Sequence, residues 1–340
     1  MEFTSDWLAN RAAATPYRLA LLIGAQRWTY GELDRLVNGL TGNLHAQGVQ
    51  PGDFVAALLP NGLPYVCLIH ALARLGAVLV PLNNRLTEEE MAWQMAHVGA
   101  KWMVAEEERK FVNCERLVVN CEAEAPTASA FTVLRSQFAI HNLQAVVFTS
   151  GTSGRPKGAM LTYANHYASA LASAERLGVQ ADDLWLSVLP LYHVGGLAVV
   201  WRSCLYGTAV SLHSRFDPDA INQDLDHNPI TLISLVPTML RRLLATRTHW
   251  PASLRLILLG GAAAPAELVE RANGLPRKAV ARGKSLVESG GLAVQSPTPL
   301  VAPTYGLTEA ASQVATARPE AAARKPGSVG HPLPGTMVEI

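Results

Sequence analysis

The residue types best suited to chemistry are concentrated in the segment 149–158, whose sequence is TSGTSGRPKG. It follows the apolar run 145–148, which predicts a buried strand. Its glycines allow backbone N–H groups to point inwards, its hydroxyls can donate to oxyanions, and Lys157 adds positive charge. This composition predicts a polyphosphate-binding loop. The alternative, a flexible Ser/Gly surface loop, is disfavoured because such a linker requires neither a buried strand before it nor a lysine within it.

The segment differs from a Walker A loop, in which the lysine follows a glycine and precedes a Mg²⁺-binding hydroxyl. Lys157 instead follows Pro156 and precedes Gly158. Pro156 also lacks an N–H donor at the point where the helix of a P-loop begins. We therefore expect phosphate binding of a different type.

The composition of the 340-residue chain is that of a folded protein with a large core. Hydrophobic residues make up 49% and charged residues 16%, which excludes disorder for most of the chain. The net charge of +1 and the absence of a basic run argue against a nucleic-acid binder. The four cysteines are scattered, which favours incidental thiols in a reducing compartment over a zinc site or disulfides.

Neither the N-terminus nor the most apolar stretch of the chain predicts targeting to a membrane. The N-terminus contains acidic residues and no apolar core, unlike a signal peptide. The most apolar stretch, 63–82, contains His70, Arg74 and two prolines, which fits a buried helix running into a strand better than a membrane span. We therefore expect a cytoplasmic enzyme without membrane insertion.

Apolar strands alternate with helical patterns along the chain. Helix signals include Thr29 as a cap for 30–47, a helix at 63–75 closed by Gly76, and a capping box at 87–90. The predicted strands are 54–59, 77–81, 102–105, 145–148, 184–188, 209–212, 232–235 and 255–259. Strands this apolar, separated by helices, predict an α/β fold with parallel sheet covered on both faces. Residues 106–142 predict an irregular edge region, and the alternation at 337–340 predicts a further strand.

Several short blocks occur in a fixed order. Besides 149–158 they are WTY at 28–30 with Glu32 and Leu33, PLYH at 190–193, LGGA at 259–262, YGLTE at 305–309, and GSVG at 327–330 with Pro332 and Pro334. This ordered set resembles the adenylate-forming superfamily of acyl-CoA synthetases, luciferases and peptide-synthetase adenylation domains. Any one block alone is weak, but together they cover nearly the whole chain.

The resemblance implies a fold and a domain division. We expect two stacked βαβ subdomains in layers αβαβα, forming a large N-terminal domain at 1–325 that divides near 165–185. Residues 326–340 would begin a β-rich subdomain. The family's small C-terminal lid domain, with its adenylation lysine, is expected to be absent from this chain. The chain as given is therefore expected to be an impaired ligase, or an ATP- and acid-binding module without full turnover.

The resemblance also implies a two-step reaction, in which a carboxylate attacks the α-phosphate of ATP and a thiol then attacks the acyl-adenylate. Glu309 would bind Mg²⁺, a hard cation suited to carboxylate and phosphate oxygens, Thr308 would bond the α-phosphate, and Tyr305 would stack on adenine. The residues implied in nucleotide binding are Thr149, Ser150, Gly151, Thr152, Ser153, Gly154, Lys157, Gly261, Ala262, Ala263, Tyr305, Gly306 and Thr308. The implied catalytic group is His193, Thr308, Glu309 and Lys157. In isolation, 260–264 would predict an ordinary strand-to-helix turn and Glu309 a solvated glutamate.

His193 follows an apolar strand and precedes Gly195 and Gly196. Alone, it would favour a structural histidine. By resemblance it stands at the mouth of the acyl pocket, where it would orient or gate the acid. General-base catalysis is unnecessary because carboxylates are ionised at neutral pH.

Some details resemble the branch of the superfamily that ligates 2-succinylbenzoate to CoA in menaquinone biosynthesis. They are the run 192–197, Arg202 near 206–207, the run 237–240, and Ser312 and Gln313 after YGLTE. This keto-diacid has a second carboxylate, and Arg202 is either its bidentate partner or a surface or helix-end arginine. Ser312 and Gln313 either supply neutral donors or cap and line a helix. The expected acid-binding residues are His193, Gly196, Arg202, Gly260, Ser312 and Gln313; the alternative is a ligase for another aromatic or fatty acid.

The resemblance implies ATP and Mg²⁺ as cofactors and CoA as a co-substrate. CoA-binding residues and a homodimeric state are left open. The extra segment 277–299 is rich in Gly, Ser and Pro and predicts a surface excursion, whose role is also left open.

Overall fold

The computed structural model describes residues 6–106, 115–117, 142–149, 155–278 and 300–339. The helices in these ranges are α1 (Trp7–Ala14), α2 (Tyr30–Ala46), α3 (Leu63–Leu75), α4 (Glu88–Val98), α5 (Tyr163–Leu177), α6 (Val194–Tyr206), α7 (Pro218–His227), α8 (Pro237–Leu243), α9 (Ala266–Asn273) and α10 (Pro319–Arg324). The strands fall into two large sheets and one short pair, β12 (Trp250–Pro251) with β14 (Arg277–Lys278).

The first large sheet has six strands in the described part of the chain. They are β3 (Phe54–Leu58), β4 (Val78–Pro81), β5 (Trp102–Ala105), β6 (Glu115–Arg116), β7 (Leu143–Thr149) and β8 (Lys157–Thr162). Their order is β6-β5-β3-β4-β7-β8, and all neighbours are parallel except β7 and β8, which form an antiparallel hairpin.

The second large sheet has eight strands in the described part. They are β1 (Leu19–Ile23), β2 (Gln26–Thr29), β9 (Leu184–Ser187), β10 (Ala209–Leu212), β11 (Leu232–Leu235), β13 (Leu256–Leu259), β15 (Val301–Leu307) and β16 (Ser312–Thr316). The order is β16-β15-β13-β11-β9-β10-β1-β2, with antiparallel pairs only at the two edges.

The largest apolar cluster joins the two sheets through helices. It includes Val55 of the first sheet and Val210 of the second, together with Leu68 of α3 and Trp201 of α6. Helices that lie between two sheets bury apolar side chains against both sheets. Separate clusters cover the outer faces. The result is the layered α/β architecture that the sequence predicts.

Most predicted elements are confirmed because their signals are local. Capping boxes at Thr29 and Thr87 open α2 and α4, each with a glutamate three residues on that returns a hydrogen bond. Helix α3 has the predicted bounds and ends at Gly76, whose φ of 73° is left-handed. The strands at 102–105, 209–212 and 232–235 have the predicted bounds as well.

The N-terminal hairpin corrects the simple division of the chain into consecutive subdomains. Strand β1 pairs in parallel with β10, so residues 19–29 belong to the second sheet although they precede the first. The chain passes from the first sheet to the second between Thr162 and Leu184. Pairing partners this far apart leave no local sequence signal.

The strand predicted at 337–340 is wrong for residues 337–339, which have no regular structure, and Met337 is 98% exposed. An alternating segment becomes a strand only when another strand offers it backbone partners. Most of the predicted edge region at 106–142, and 279–299 of the predicted surface excursion, lie outside the described residues. Among the helices that are described, none combines the length and apolar character needed to cross a membrane.

Candidate functional site

A cavity of about 330 Å³ opens where strand ends of the two sheets meet. Its lining consists of Pro81, Asn83, Leu86, Gln94, Phe148, Thr149, Pro156, Tyr192, His193 and Thr308. The fold therefore brings together Thr149, His193 and Thr308, which belong to three separate sequence blocks. In parallel sheets, ligands bind at such carboxyl ends of strands, where connecting loops converge.

The arms of the predicted phosphate loop form the β7–β8 hairpin. Thr149 pairs with Lys157 across it, and the Thr149 hydroxyl donates to the Lys157 carbonyl at 3.4 Å. A Cβ on Gly158 would lie 2.8 Å from Cγ1 of Val146, which explains the glycine there. Lys157 is exposed, so its ammonium is available to an anion. Ser150, Gly151, Thr152, Ser153 and Gly154 lie outside the described residues.

The block 305–309 turns tightly between β15 and β16. A 3-10 turn, Thr308–Ala310, carries Thr308 beside the cavity and Glu309 on the exposed side. The next residues, Ala311 and Ser312, have φ angles of 52° and 113°, in the region that non-glycine residues rarely occupy. Strained backbone of this kind persists where the surrounding fold over-determines it, commonly at functional sites.

Gly306 has no room for a side chain, since a Cβ there would lie 1.8 Å from the carbonyl oxygen of Ser312. The two antiparallel strands therefore approach each other closely just before the turn. This contact fixes the direction in which Thr308 and Glu309 leave the sheet.

The residues expected to cradle adenine lie at the carboxyl ends of two neighbouring strands. Strands β13 and β15 are parallel neighbours, and 260–263 follow β13 directly. Gly261 has φ +77° and no room for a Cβ beside Val236, and Tyr305 is 53% exposed at the same end of the sheet. A Cβ on Gly260 would lie 2.7 Å from Cγ2 of Thr304. The arrangement leaves glycine backbone and a phenol ring open to a flat ligand.

His193 stands at the start of α6, on the cavity wall. Its ring centroid lies 4.6 Å from that of the buried Tyr192. Partial burial, and then the charge of Arg85, lower the pKa of His193 below its ordinary value. The imidazole is therefore neutral near pH 7 and can donate one hydrogen bond while accepting another.

Arg202 lies in the interior, only 2% exposed. Its Nη2 donates to the hydroxyl of Ser169 at 3.0 Å, and its Nε has no hydrogen-bond partner among the described residues. No carboxylate of the described residues pairs with it, and burial lowers its pKa. The alternative of a helix-end surface arginine is therefore wrong. A buried guanidinium without a counter-charge is costly and is suited to receive an anion.

The remaining predicted acid-site residues have contacts within the protein. Gly196 lies against loop 189–190, since a Cβ would be 2.4 Å from the Pro190 carbonyl oxygen. The side chain of Gln313 is buried, donates through Nε2 to Thr316 at 2.7 Å, and leaves Oε1 without a partner among the described residues. Gln313 and Ser312 lie on β16 rather than on the predicted helix, because the turn after Glu309 reverses into a strand. Their contact with an acid stays a prediction.

The sequence interpretation missed Asn83 and Gln94, two amides that line the cavity from the loop after β4 and from α4. It also missed Ser169, which binds Arg202, and Asn61, which binds the loop before His193. The position of Asn61 and Asn83 after apolar strands is the signal that could have identified them.

Glu309 is suited to hold a divalent cation together with phosphate oxygens. Its carboxylate is exposed, and it forms no ion pair with another described residue. The described part of the chain contains no cluster of three or more His, Cys, Asp or Glu side chains that would hold a metal by itself. A hard cation with few protein ligands and several phosphate ligands fits this donor set.

Comparison with known proteins places the chain in a family. The family model of AMP-binding enzymes matches residues 8–340. The 2-succinylbenzoate–CoA ligase of Bacillus cereus (strain Q1) is 37% identical over 338 residues, which are 98% of this chain and 65% of that protein. The chain thus spans slightly less than two thirds of the length of this relative.

Two solved structures of o-succinylbenzoate CoA synthetase (MenE) from Bacillus subtilis have the same fold. The complex with the acyl-adenylate intermediate OSB-AMP has a TM-score of 0.81 and 32% identity, covering 96% of this chain and 81% of that one. The complex with ATP and a magnesium ion has a TM-score of 0.82 and 33% identity, covering 96% and 65%. Since the family model spans nearly the whole sequence, the chain belongs to the family of AMP-binding enzymes.

Proposed function

We propose that this chain carries the ATP- and acid-binding site of an AMP-forming acid–CoA ligase whose acid is 2-succinylbenzoate. The family and the names of its relatives support the reaction class. The observation that carries the choice of acid is Arg202, a buried guanidinium without a carboxylate partner among the described residues. A diacid can present one carboxylate to ATP and the other to this cation.

The proposed reaction has two steps. An oxygen of the acid attacks the α-phosphorus of ATP, the bond from that phosphorus to the bridging oxygen breaks, and pyrophosphate leaves. The thiolate of CoA then attacks the acyl carbon, forming a thioester and releasing AMP. The first step joins two anions, so screening and positioning supply most of the catalysis.

The chain's own residues would divide this work by their place around the cavity. Lys157 and Thr149, on the arms of the β7–β8 hairpin, would hold the outer phosphates, and Thr308 would donate to the α-phosphate. The neutral imidazole of His193 would orient the attacking carboxylate at the start of α6, where the helix dipole favours an anion. Mg²⁺, held by Glu309, would supply charge neutralisation at the phosphates.

The same proposal implies a place and a pathway. A 2-succinylbenzoate ligase serves menaquinone biosynthesis, and ATP and CoA are available to it in the cytoplasm. The proposal therefore places this chain in the cytoplasm and in menaquinone biosynthesis.

Equilibrium binding tests the proposal without requiring turnover. The chain is titrated calorimetrically with 2-succinylbenzoate, benzoate and octanoate in the presence of ATP and Mg²⁺. We expect 2-succinylbenzoate to bind most tightly, by about 10-fold or more over benzoate, because a charge-assisted bond to Arg202 adds about 1.5–3 kcal/mol. Equal binding of benzoate, or tighter binding of octanoate, would favour a ligase for another acid.

A further inference from the structure

We propose that Asn61 is a positioning residue for the acid site, which fixes the loop carrying Tyr192 and His193 from the opposite sheet. The inference rests on the proposed function, because acid binding at His193 is one of the properties that Asn61 would control.

The side-chain amide of Asn61 makes three hydrogen bonds to backbone. Its Nδ2 donates to the carbonyl oxygens of Leu189 at 3.0 Å and His213 at 3.1 Å, and its Oδ1 accepts from the N–H of Leu191 at 2.9 Å. Both N–H bonds and the oxygen are therefore used. Asn61 is only 8% exposed, so these bonds are shielded from water.

The three bonds join the carboxyl ends of strands from both sheets. Asn61 follows β3 of the six-stranded sheet, whereas Leu189 and Leu191 follow β9, and His213 follows β10, of the eight-stranded sheet. Asn61 thus contacts two neighbouring strand ends at once. Its position sets the distance between the first sheet and the loop that leads to His193.

Helix α6 confines the same loop from another direction. Gly196 lies so close that a Cβ would be 2.4 Å from the Pro190 carbonyl oxygen and 2.6 Å from that of Leu189. The N–H of His193 donates to the Pro190 carbonyl at 3.0 Å, closing a turn just before the helix. With Asn61 on one side and Gly196 on another, 189–193 has one well-defined path, and Tyr192 and His193 face the cavity as a result.

The other acceptor of Asn61 is itself held in place. The ring Nε2 of His213 lies 2.8 Å from Oδ2 of Asp224, and the Asn228 side chain donates to Oδ1 of Asp224 at 2.7 Å. Because β10 is anchored at this end, Asn61 transmits a fixed position to the loop rather than moving with it.

Two substitutions test this role. Asn61→Asp keeps the size but replaces both donors with an oxygen facing two carbonyl oxygens, and Asn61→Ser shortens the side chain. We expect each to weaken acid binding by about 10-fold or more, because two or three buried bonds are lost and the acid site loses its alignment. Binding of ATP with Mg²⁺ should change by less than about 3-fold, since its residues lie on other loops.

Thr231→Val is the matched control. Thr231 is buried at the amino end of β11 in the eight-stranded sheet, where its hydroxyl donates to Asp183 at 2.8 Å and accepts from the Leu184 N–H at 3.0 Å. This variant should lower the unfolding temperature, as the Asn61 variants do, without changing the dissociation constant for the acid. Amide hydrogen exchange, read at 189–193 in each variant, should accelerate only when Asn61 is replaced.

The outcomes separate the two proposals. Unchanged acid affinity, or unchanged exchange at 189–193, in folded Asn61 variants would overturn the positioning role. If the parent chain binds none of the acids, the proposed function fails. Faster exchange at 189–193 in the Asn61 variants would in that case show that Asn61 stabilises the loop only, which would contradict its role in the acid site. Equal losses of affinity in the Asn61 and Thr231 variants would also contradict it.

Discussion

Arg202 and Ser169 are joined by a hydrogen bond of 3.0 Å in the interior of the molecule. The same Ser169 hydroxyl donates to the carbonyl oxygen of Ala311 at 2.9 Å, directly after the turn that carries Thr308 and Glu309. A chain of two hydrogen bonds therefore connects the guanidinium expected at the acid with the turn expected at the nucleotide. Ser169 fixes the geometry of both.

Replacing Arg202 by Met should separate stability from binding. We expect the free energy of unfolding to stay equal or to rise by about 1–2 kcal/mol, because a buried charge without a counter-charge is removed and an apolar side chain of similar length fills its place. The affinity for 2-succinylbenzoate should fall by about 10- to 100-fold, and that for benzoate should stay the same. Chemical denaturation and calorimetric titration measure the two quantities.

Arg202→Lys is the control for charge alone, since a lysine keeps the cation but lacks the planar fork. It should recover part of the affinity that Arg202→Met loses. A Met variant that is strongly destabilised, or that binds 2-succinylbenzoate as the parent chain does, would contradict the assignment of Arg202.

Gly306→Ala should disable the turn after β15. The new Cβ would lie 1.8 Å from the Ser312 carbonyl oxygen, so the strands must separate and Thr308 must move. We expect ATP with Mg²⁺ to bind about 5-fold more weakly or worse, since overpacking costs about 1–3 kcal/mol. Gly24→Ala is the control: its φ of +57° makes alanine strained but no atom lies within 4 Å, so stability should fall without a change in nucleotide affinity. Undiminished nucleotide binding by Gly306→Ala would argue against the role of this turn.

The sequence predicts those elements whose causes are local. The capping box of Thr29 with Glu32 and the left-handed glycine that ends α3 involve residues within four positions of each other, so the chain itself displays them. The ordered motifs likewise predict that Thr149, His193 and Thr308 matter, and the fold places all three on one cavity.

What the sequence leaves out depends on partners far along the chain. Asn61 and Leu189 are 128 positions apart, and Ser169 and Ala311 are 142 positions apart. Asn61 and Ser169 are common polar residue types, and only the stacking of the two sheets gives each side chain its partner. The burial of Arg202 is equally a property of packing, so the sequence alone is compatible with both a carboxylate partner and a surface position for this arginine.

Low pH should destabilise the protein because two buried histidines become protonated on unfolding. Burial lowers the pKa of His70 to about 4 and, together with the charge of Arg202, that of His166 to about 3. Between these values and the ordinary 6.5, the unfolded chain binds more protons than the folded one, so stability falls as the pH falls through this window.

His70→Leu isolates one of these contributions. The variant should lose less stability than the parent chain between pH 6.5 and 4, by about 3 kcal/mol, since each unit of pKa shift corresponds to about 1.4 kcal/mol. Denaturation curves recorded at several pH values provide the comparison. Parallel stability profiles for the two proteins would show that His70 is not neutral inside the fold.

His193 should affect acid binding rather than nucleotide binding. We expect His193→Ala to lower the affinity for 2-succinylbenzoate by about 10-fold, which corresponds to the loss of one buried hydrogen bond to a charged group. The affinity for ATP should stay nearly unchanged. Because the lowered pKa keeps the imidazole neutral, the affinity of the parent chain should not change between pH 7 and 9 on account of this residue. Equal acid affinity in both proteins would exclude His193 from the site.

A structure of this chain with 2-succinylbenzoate and ATP bound tests the central claim most directly. The account predicts one carboxylate of the acid beside His193 and Thr308, facing the α-phosphate, and the second within hydrogen-bond distance of the Arg202 guanidinium. A second carboxylate held elsewhere, with Arg202 still bound only to Ser169, would contradict it.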